Sequence, residues 1–419
     1  IGPSAHEPGA RWRALLTWRS CTLVERPCHS LRMARGNIVT SRSLWRLEFF
    51  VVSLLFHLIF TWSIFDVYFH SPVVYPSRRF DAANAVPDAP WTGDAPADRL
   101  VLIVADGLRA DTLFQRHATA SLPSWAQHAV QGDQLVYNGT YPDAFKRTKT
   151  VDGQVSGPLY AYAAPYLRSI ARGPGVFGVS HTRVPTESRP GHVALIAGMY
   201  EDMSAVTKGW KINPLAFDSL VNQSSHSYAY GSPDIVPMFV LGTSPDKVDW
   251  QVYNEEAEDF TKDAVELDTW VLHRMRDVFA RAQRDPKADA RLRQPKTLFF
   301  MHLLGLDTTG HTYRPMSPEY VGNTIVVDEI VRQVSHLFED FYGDNKTAFL
   351  VTADHGMSRK GNHGDGDPDN TRTPLVAWGA GVPKARHLPQ RRFVYTEYDK
   401  HWGLDFLARS DVEQADLTP

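Results

Sequence analysis

Cysteine is nearly missing from this 419-residue sequence: Cys21 and Cys28 are its only 2. No disulfide framework can staple the chain beyond Met33, and cysteine says nothing about redox compartment. A surplus of one charge is missing as well. The 44 Lys and Arg stand against 47 Asp and Glu, for a formal net charge of -3 and a pI near 6.7. That excludes the broad basic surface nucleic acid demands. No internal repeat is visible. What is present is a 43% hydrophobic share, enough over this length to bury one large core or two ordinary ones.

The chain opens on Ile1, and IGPSAHEPGARWRALLTWRS has no clean period of either regular structure. Met33 with MARGNIVTSRSLWR reads as a natural start, so residues 1–32 are expected to be a nonstructural extension within a cytoplasmic tail, 1–46. From Leu47 to Tyr68 runs LEFFVVSLLFHLIFTWSIFDVY, about the ~20 apolar residues that a bilayer needs. Arg32, Arg35, Arg42 and Arg46 precede it, and no Lys or Arg follows before Arg78. The basic end should stay cytoplasmic. The run is long for a cleaved signal core, so 47–68 reads as a retained signal anchor with everything later on the far side. Asn-x-Ser/Thr sequons at Asn138, Asn222 and Asn345 agree with a glycosylating lumen.

Residues 69–98 have a linker composition, rich in Pro, Ala and Asp, so the ordered domain, 99–419, should begin at Arg99. RLVLIVAD is a continuous apolar run of the kind buried on both faces of a parallel sheet. TLFFMHLLG, TAFLVTAD, PLVAWG and the shorter GVFGVSHT read as further strands. GPLYAYAAPYLRSIA reads as helical, as does Asp263 to Arg284, with Val265, Trp270, Leu272, Met275, Val278 and Phe279 near one face. Ser317 should N-cap a helix in which Val327, Val331, Val334, Leu337 or Phe338, and Phe341 recur. Strands alternating with long helices predict an α/β sandwich with a mostly parallel sheet.

Apolar strands lead into Asp106, Asp307 and Asp354. In open α/β sheets ligands bind beyond the carboxyl ends of the strands, and acids gathered there repel one another unless a cation lies between them. His311, His355 and His363 follow closely, the last in the glycine-rich RKGNHGDGD. Mixed Asp and His donors suit zinc, with manganese as the other fit. With Ser188 in VPTESRPGH, the set Asp106, Ser188, Asp307, His311, Asp354, His355 and His363 is about right for two metals sharing a nucleophile. The rival nucleophile is Thr186. Pro190 and Gly191 are expected to form a turn lifting Ser188 off a helix made by HVALIAG, whose N-terminus could receive a phosphoryl oxygen. Arg189 either adds charge or is a solvated surface arginine.

VADGLR, PTESRPGH, LLGLDTTGH and TADHGM resemble the metal-site motifs of the alkaline phosphatase superfamily. SRPGHVALIAGMYED, KGW at Lys208 to Trp210, YGSPDIVPMF and NTRTPLVAWGAG narrow this to a resemblance to the GPI ethanolamine phosphate transferase 1 family, from about Arg32 to the end. The sulfatase branch fits less well, because His192 stands where its motif has arginine. The resemblance implies an alkaline-phosphatase-like sandwich behind one transmembrane helix. It implies one metal on Asp106, Ser188, Asp354 and His355 and a second on Asp307, His311 and His363, with Ser188 as nucleophile. It further implies transfer of phosphoethanolamine from phosphatidylethanolamine to the first mannose of a GPI precursor, in the endoplasmic reticulum membrane with a lumenal catalytic domain.

The ethanolamine ammonium would need a carboxylate or an aromatic face, for which Trp210, Asp202 and Asp234 are the candidates. The family also implies that the catalytic domain continues past ADLTP into a multi-spanning membrane region. Two alternatives stay open: a metal-dependent phosphodiesterase that transfers to water, and a noncatalytic lumenal protein on this fold.

Overall fold

The computed structural model describes residues 36–69, 95–118, 121–123, 130–131, 134–135, 160–200, 218–241, 243–258, 263–388 and 401–417. Contacts divide the chain into one unit ending at Asp66 and a second beginning at Val67.

Helix α1, Gly36–Phe69, makes up most of the described part of the first unit, and its stretch Leu44–Ile64 has a mean hydropathy of 1.9 and is 0% buried. Its apolar side chains point outward all round, Phe49 and Trp62 among them. By length and composition it can cross a membrane.

The second unit is built on an eight-stranded sheet. In chain order its strands are β1 (Arg99–Ala105), β2 (Val176–His181), β3 (His226–Gly231), β4 (Val248–Val252), β5 (Thr297–Leu303), β6 (Thr347–Thr352), β7 (Arg372–Gly379) and β8 (Val412–Glu413). In space they run β8-β2-β7-β6-β1-β5-β3-β4. From β6 to β4 neighbours pair in parallel, whereas β7 is antiparallel to both β6 and β2. The mostly parallel sheet expected from the sequence is therefore present, with PLVAWG as its reversed strand.

Helices cover both faces. They include α2 (Ala110–Phe114), α3 (Pro165–Arg172), α4 (Ser188–Ala197), α5 (Val265–Ala282), α6 (Gly305–Tyr313) and α7 (Pro318–Tyr342). Strand β1 shows why the aliphatic runs are continuous. Val101, Ile103 and Ala105 join a core with Met275 and Phe279 of α5 and Ile330, Val334 and Phe338 of α7. Leu102 and Val104 point the other way, into a core with Val193 and Ile196 of α4. Successive strand side chains alternate between faces, so a strand covered on both sides must be apolar throughout.

The helical stripes fall as expected. Val327, Val331, Val334 and Phe338 are buried, while Leu337, Phe341, Val265 and Trp270 pack against the same core part-buried. The Ser317 hydroxyl accepts from the Tyr320 N–H at 3.1 Å, so it caps α7. Two expectations need correction. GPLYAYAAPYLRSIA is not one helix: Tyr160–Tyr162 is a short strand, and the helix starts only at Pro165, because proline is tolerated in a first helical turn but not inside a helix. The HVALIAG helix begins earlier, at Ser188, so that Arg189, Pro190 and Gly191 form its first turn rather than a turn before it.

Candidate active site at the centre of the sheet

The topology explains why the acids meet. Strands β6, β1 and β5 are adjacent and parallel at the centre of the sheet, so their carboxyl ends share one edge. Asp106 directly follows β1, and Asp354 follows β6 within two residues of Thr352. Asp307 sits one step further on, in the first turn of α6, with His311 one turn along the same helix. The turn after β1 is tight: Gly107 has φ +72°, and a Cβ there would lie 3.0 Å from the Asp307 Cα. Only glycine meets both demands without strain.

Two clusters result. In the deeper one, His355 Nε2 lies 3.3 Å from Asp106 Oδ1 and 3.4 Å from Asp354 Oδ2, with all three side chains 0% exposed. In the shallower one, Asp307 Oδ1 lies 3.3 Å from His311 Nε2 and 3.5 Å from His363 Nε2. The Ser188 hydroxyl stands 3.2 Å from His355 Nε2, at the start of α4. All the ligand candidates read from the sequence are thus gathered at one edge.

The donor atoms are turned inward by backbone acceptors. His311 Nδ1 donates to the Gly361 carbonyl (2.9 Å), His363 Nδ1 to that of Thr186 (2.8 Å), and His355 Nδ1 to that of Gly356 (2.8 Å). A carbonyl can only accept, so each neutral ring keeps its lone pair on Nε2, and every Nε2 points into the cluster. Asp106 Oδ1, Asp307 Oδ1 and Asp354 Oδ2 are buried without a hydrogen-bond partner. Burial raises the carboxyl of Asp106 well above its ordinary value, with Asp354 and Asp307 adding to the rise. Asp354 is also raised, by burial first. Asp307 is different: burial pushes it up, but the neighbouring imidazoles, His311 first, hold it below the usual value.

Buried anions and inward lone pairs facing one another are the electrostatics of a divalent-cation site. The residues present fit that group, with mixed nitrogen and oxygen donors in three sets: Asp106, Asp354 and His355; Asp307, His311 and His363; and Asp106, His192 and His302.

The rival nucleophile is already engaged. The Thr186 hydroxyl donates to the Asp365 carbonyl at 2.7 Å and accepts from the Gly364 N–H at 2.8 Å, and the residue is 0% exposed. It staples the His363 loop. Arg189 is buried at 4% exposure, which removes the solvated-surface reading.

Close packing explains Gly191: a Cβ there would come within 2.7 Å of the Asp354 carbonyl oxygen and 2.8 Å of the Asp354 Cβ. Arg109 of VADGLR ties the site loops together, reaching Asp111, Asp369 (2.8 Å) and the Met357 carbonyl (3.0 Å). The Tyr320 hydroxyl on α7 donates to the Gly107 carbonyl at 2.6 Å.

Of the proposed ammonium partners, Asp234 is exposed just beyond β3, whereas Asp202 and Trp210 lie outside the described residues. So does Asn138, while Asn222 and Asn345 are exposed. Sequence reading missed other residues of the site. His302 Nε2 donates to Asp106 Oδ2 at 3.0 Å while its Nδ1 accepts from the Ser232 N–H at 3.3 Å. His192 donates to the Ser188 carbonyl at 2.7 Å, its ring edge-on to His302. Glu187, at the N-cap of α4, lies 3.4 Å from His363. The available signal for His302 was a histidine interrupting an otherwise apolar strand.

Comparison with known proteins bears directly on this arrangement. Over 374 residues, 89% of this chain, the sequence is 50% identical to "GPI ethanolamine phosphate transferase 1" of Aspergillus oryzae. This chain is a homologue of the GPI ethanolamine phosphate transferase 1 proteins. The relative from Saccharomyces cerevisiae is 45% identical over 373 residues, again 89% of this chain. The chain spans only about a third of these relatives, 33% and 36% of their lengths. A family model described as "Type I phosphodiesterase / nucleotide pyrophosphatase" matches residues 204–367, a stretch that contains every cluster histidine and acid except Asp106. Among solved structures, the C-terminal periplasmic domain of EcEptC from Escherichia coli aligns at TM-score 0.38 with 14% identity, covering 78% of this chain and 80% of that one.

Proposed function

We propose that this chain carries the phosphoryl-transfer centre of an ethanolamine phosphate transferase. It would move phosphoethanolamine from phosphatidylethanolamine to the first mannose of a GPI precursor through a covalent intermediate on Ser188. The observation that carries the reading is the placement of the Ser188 hydroxyl at the start of α4, 3.2 Å from His355 Nε2, in a chain half identical to proteins bearing that name.

Asp106, Ser188, Asp354 and His355 are the residues to hold one divalent cation, and Asp307, His311 and His363 the other; zinc suits the donors best. Bound there, the two cations would supply Lewis-acid stabilisation of the serine oxygen and of the phosphoryl oxygens. The chain's own contribution is placement. The first turn of α4 fixes the Ser188 hydroxyl, and Gly191 lets that turn approach Asp354. The buried hydrogen bonds of the histidines fix which nitrogen faces inward.

In the first step the Ser188 Oγ–P bond forms, the P–O bond to diacylglycerol breaks, and the serine proton ends on the diacylglycerol oxygen. In the second step a mannose hydroxyl oxygen bonds to phosphorus, the Oγ–P bond breaks, and the mannose proton returns to Ser188. Both substrates are lipids, so a membrane helix such as α1 would confine the site beside its donor. The proposed setting is the endoplasmic reticulum membrane with the site on the lumenal side.

The phosphodiesterase description of the matched family favours one second reading, transfer to water. A single assay separates them. Phosphatidylethanolamine labelled in its ethanolamine is incubated with zinc-loaded protein and a synthetic mannosylated glycolipid. Label on the glycolipid supports the transferase; label only in free phosphoethanolamine, with acceptor in excess, would establish the hydrolase instead.

A further inference from the structure

Strand β6 ends at Thr352, so the carbonyls of Ala353 and Asp354 lie past its hydrogen-bonded ladder. Buried carbonyls need donors from somewhere. Both find one in Gln414, whose Nε2 donates to the Ala353 carbonyl at 2.9 Å and to the Asp354 carbonyl at 2.7 Å. Gln414 is 0% exposed and stands 60 positions along the chain from Asp354.

The edge of the sheet delivers it. The Ser410 N–H donates to the Phe177 carbonyl at 2.9 Å, and the Asp411 carboxylate accepts from the Val179 N–H at 3.0 Å. β8 then pairs in parallel with β2, Val412 opposite Ser180 and Glu413 opposite His181. With that stretch seated on β2, the 3-10 turn Gln414–Leu417 buries its first side chain. The nucleophile helix meets the same backbone: a Cβ on Gly191 of α4 would come within 2.7 Å of the Asp354 carbonyl oxygen, so α4 and Gln414 converge on one atom. The Asp354 carboxylate is placed separately, its Oδ1 accepting from the Gly107 N–H at 3.3 Å and its Oδ2 lying 3.4 Å from His355 Nε2.

Filling space does not account for a glutamine here. Two carbonyls can only accept, so the amide must turn its nitrogen toward them, and its Oε1 is left buried without a partner. An unmet buried acceptor is destabilising, and an apolar side chain of similar length would avoid it.

We propose that Gln414 is a positioning residue for the deep cation set: it clamps the Ala353–Asp354 backbone and thereby fixes the direction in which the Asp354 carboxylate faces His355. The inference rests on the two-cation reading above. Losing the clamp loosens cation binding by Asp106, Ser188, Asp354 and His355 and leaves the set of Asp307, His311 and His363 as it was.

The test measures zinc affinity of the full chain by competition with a chelating dye, with one set disabled at a time. His363→Ala leaves the deep set to be read, and His355→Ala the shallow one. Gln414→Met keeps the length and bulk of the side chain and removes both N–H donors. Added to His363→Ala, it should lower zinc affinity about ten- to a hundredfold, the worth of a group that orients a ligand; added to His355→Ala, it should change nothing. Equal loss in both backgrounds, or no loss in the first, overturns the inference, because a side chain that only packs acts on both sets alike or on neither.

If Gln414→Met does not fold, hydrogen exchange on the chain with Gln414 intact decides. Coupling between two sites is reciprocal, so zinc should slow exchange across residues 411–417 in the wild type and in His363→Ala but not in His355→Ala. Exchange there that ignores zinc at the deep set overturns the inference. A wild type that binds no zinc at either set overturns the two-cation reading, and this inference with it.

Discussion

His311 Nε2 and His363 Nε2 approach to 3.1 Å, although each ring has given its Nδ1 hydrogen to a backbone carbonyl. Two bare lone pairs at that distance need something positive between them. Without a cation a proton must serve, and the pKa of His311 is accordingly raised, chiefly through Asp307, while burial lowers that of His363. The same argument applies at Asp106 and Asp354, whose unpartnered oxygens both face His355.

His302 should matter for metal retention. It is the one side chain hydrogen-bonded to Asp106 Oδ2 among the described residues, and groups that orient a ligand are worth about ten- to a hundredfold in metal affinity. His302→Ala is expected to weaken zinc binding by that factor in competition with a chelating dye. Affinity equal to wild type would show that Asp106 needs no such support.

Gly191→Ala tests the contact between α4 and the end of β6. The added methyl meets Asp354 backbone at 2.7 Å, which cannot move without shifting the cluster. A loss of about 1–3 kcal/mol in denaturant unfolding is expected, together with weaker metal binding. A variant as stable as the wild type would mean that the helix can retreat.

Asp328 supplies a pH test away from the clusters. It is buried, accepts from the Tyr166 and Leu167 N–H groups at 2.9 and 2.8 Å, and burial pushes its carboxyl up to about 7 from 3.8. The folded state therefore holds this proton more tightly than the unfolded chain does. Its contribution to stability is fully present below the unfolded value and is lost as pH rises through about 7. Asp328→Asn removes the titration, so the melting deficit of the variant should shrink between about pH 4 and pH 8. A deficit that widens over that range contradicts the assignment.

The sequence made the centre of the fold legible and its margins less so. Strands β1, β5 and β6 announce themselves because burial on both faces demands unbroken apolar runs, and the acids at their ends could be read directly. HSYAYG and VDWQV could not be read as strands: the burial of β3 depends on neighbours that no local pattern encodes. The start of α4 was misplaced because Pro-Gly normally signals a turn, whereas here proline sits in a first helical turn and glycine allows close approach to Asp354. His302 is joined to Asp106 only through space, across 196 positions of sequence, whereas His192 lies one helical turn after Ser188. The line from Glu258 through Ser232 and His302 to Asp106 unites four separate stretches of chain.

The most direct test of the central claim is peptide mass spectrometry on the zinc-loaded protein after incubation with phosphatidylethanolamine, comparing wild type with Ser188→Ala and Thr186→Ala. The account predicts a phosphoethanolamine adduct on Ser188 in the wild type, none in Ser188→Ala, and an adduct still on Ser188 in Thr186→Ala. An adduct on any other residue, or none on wild type with both metals verifiably bound, would contradict it.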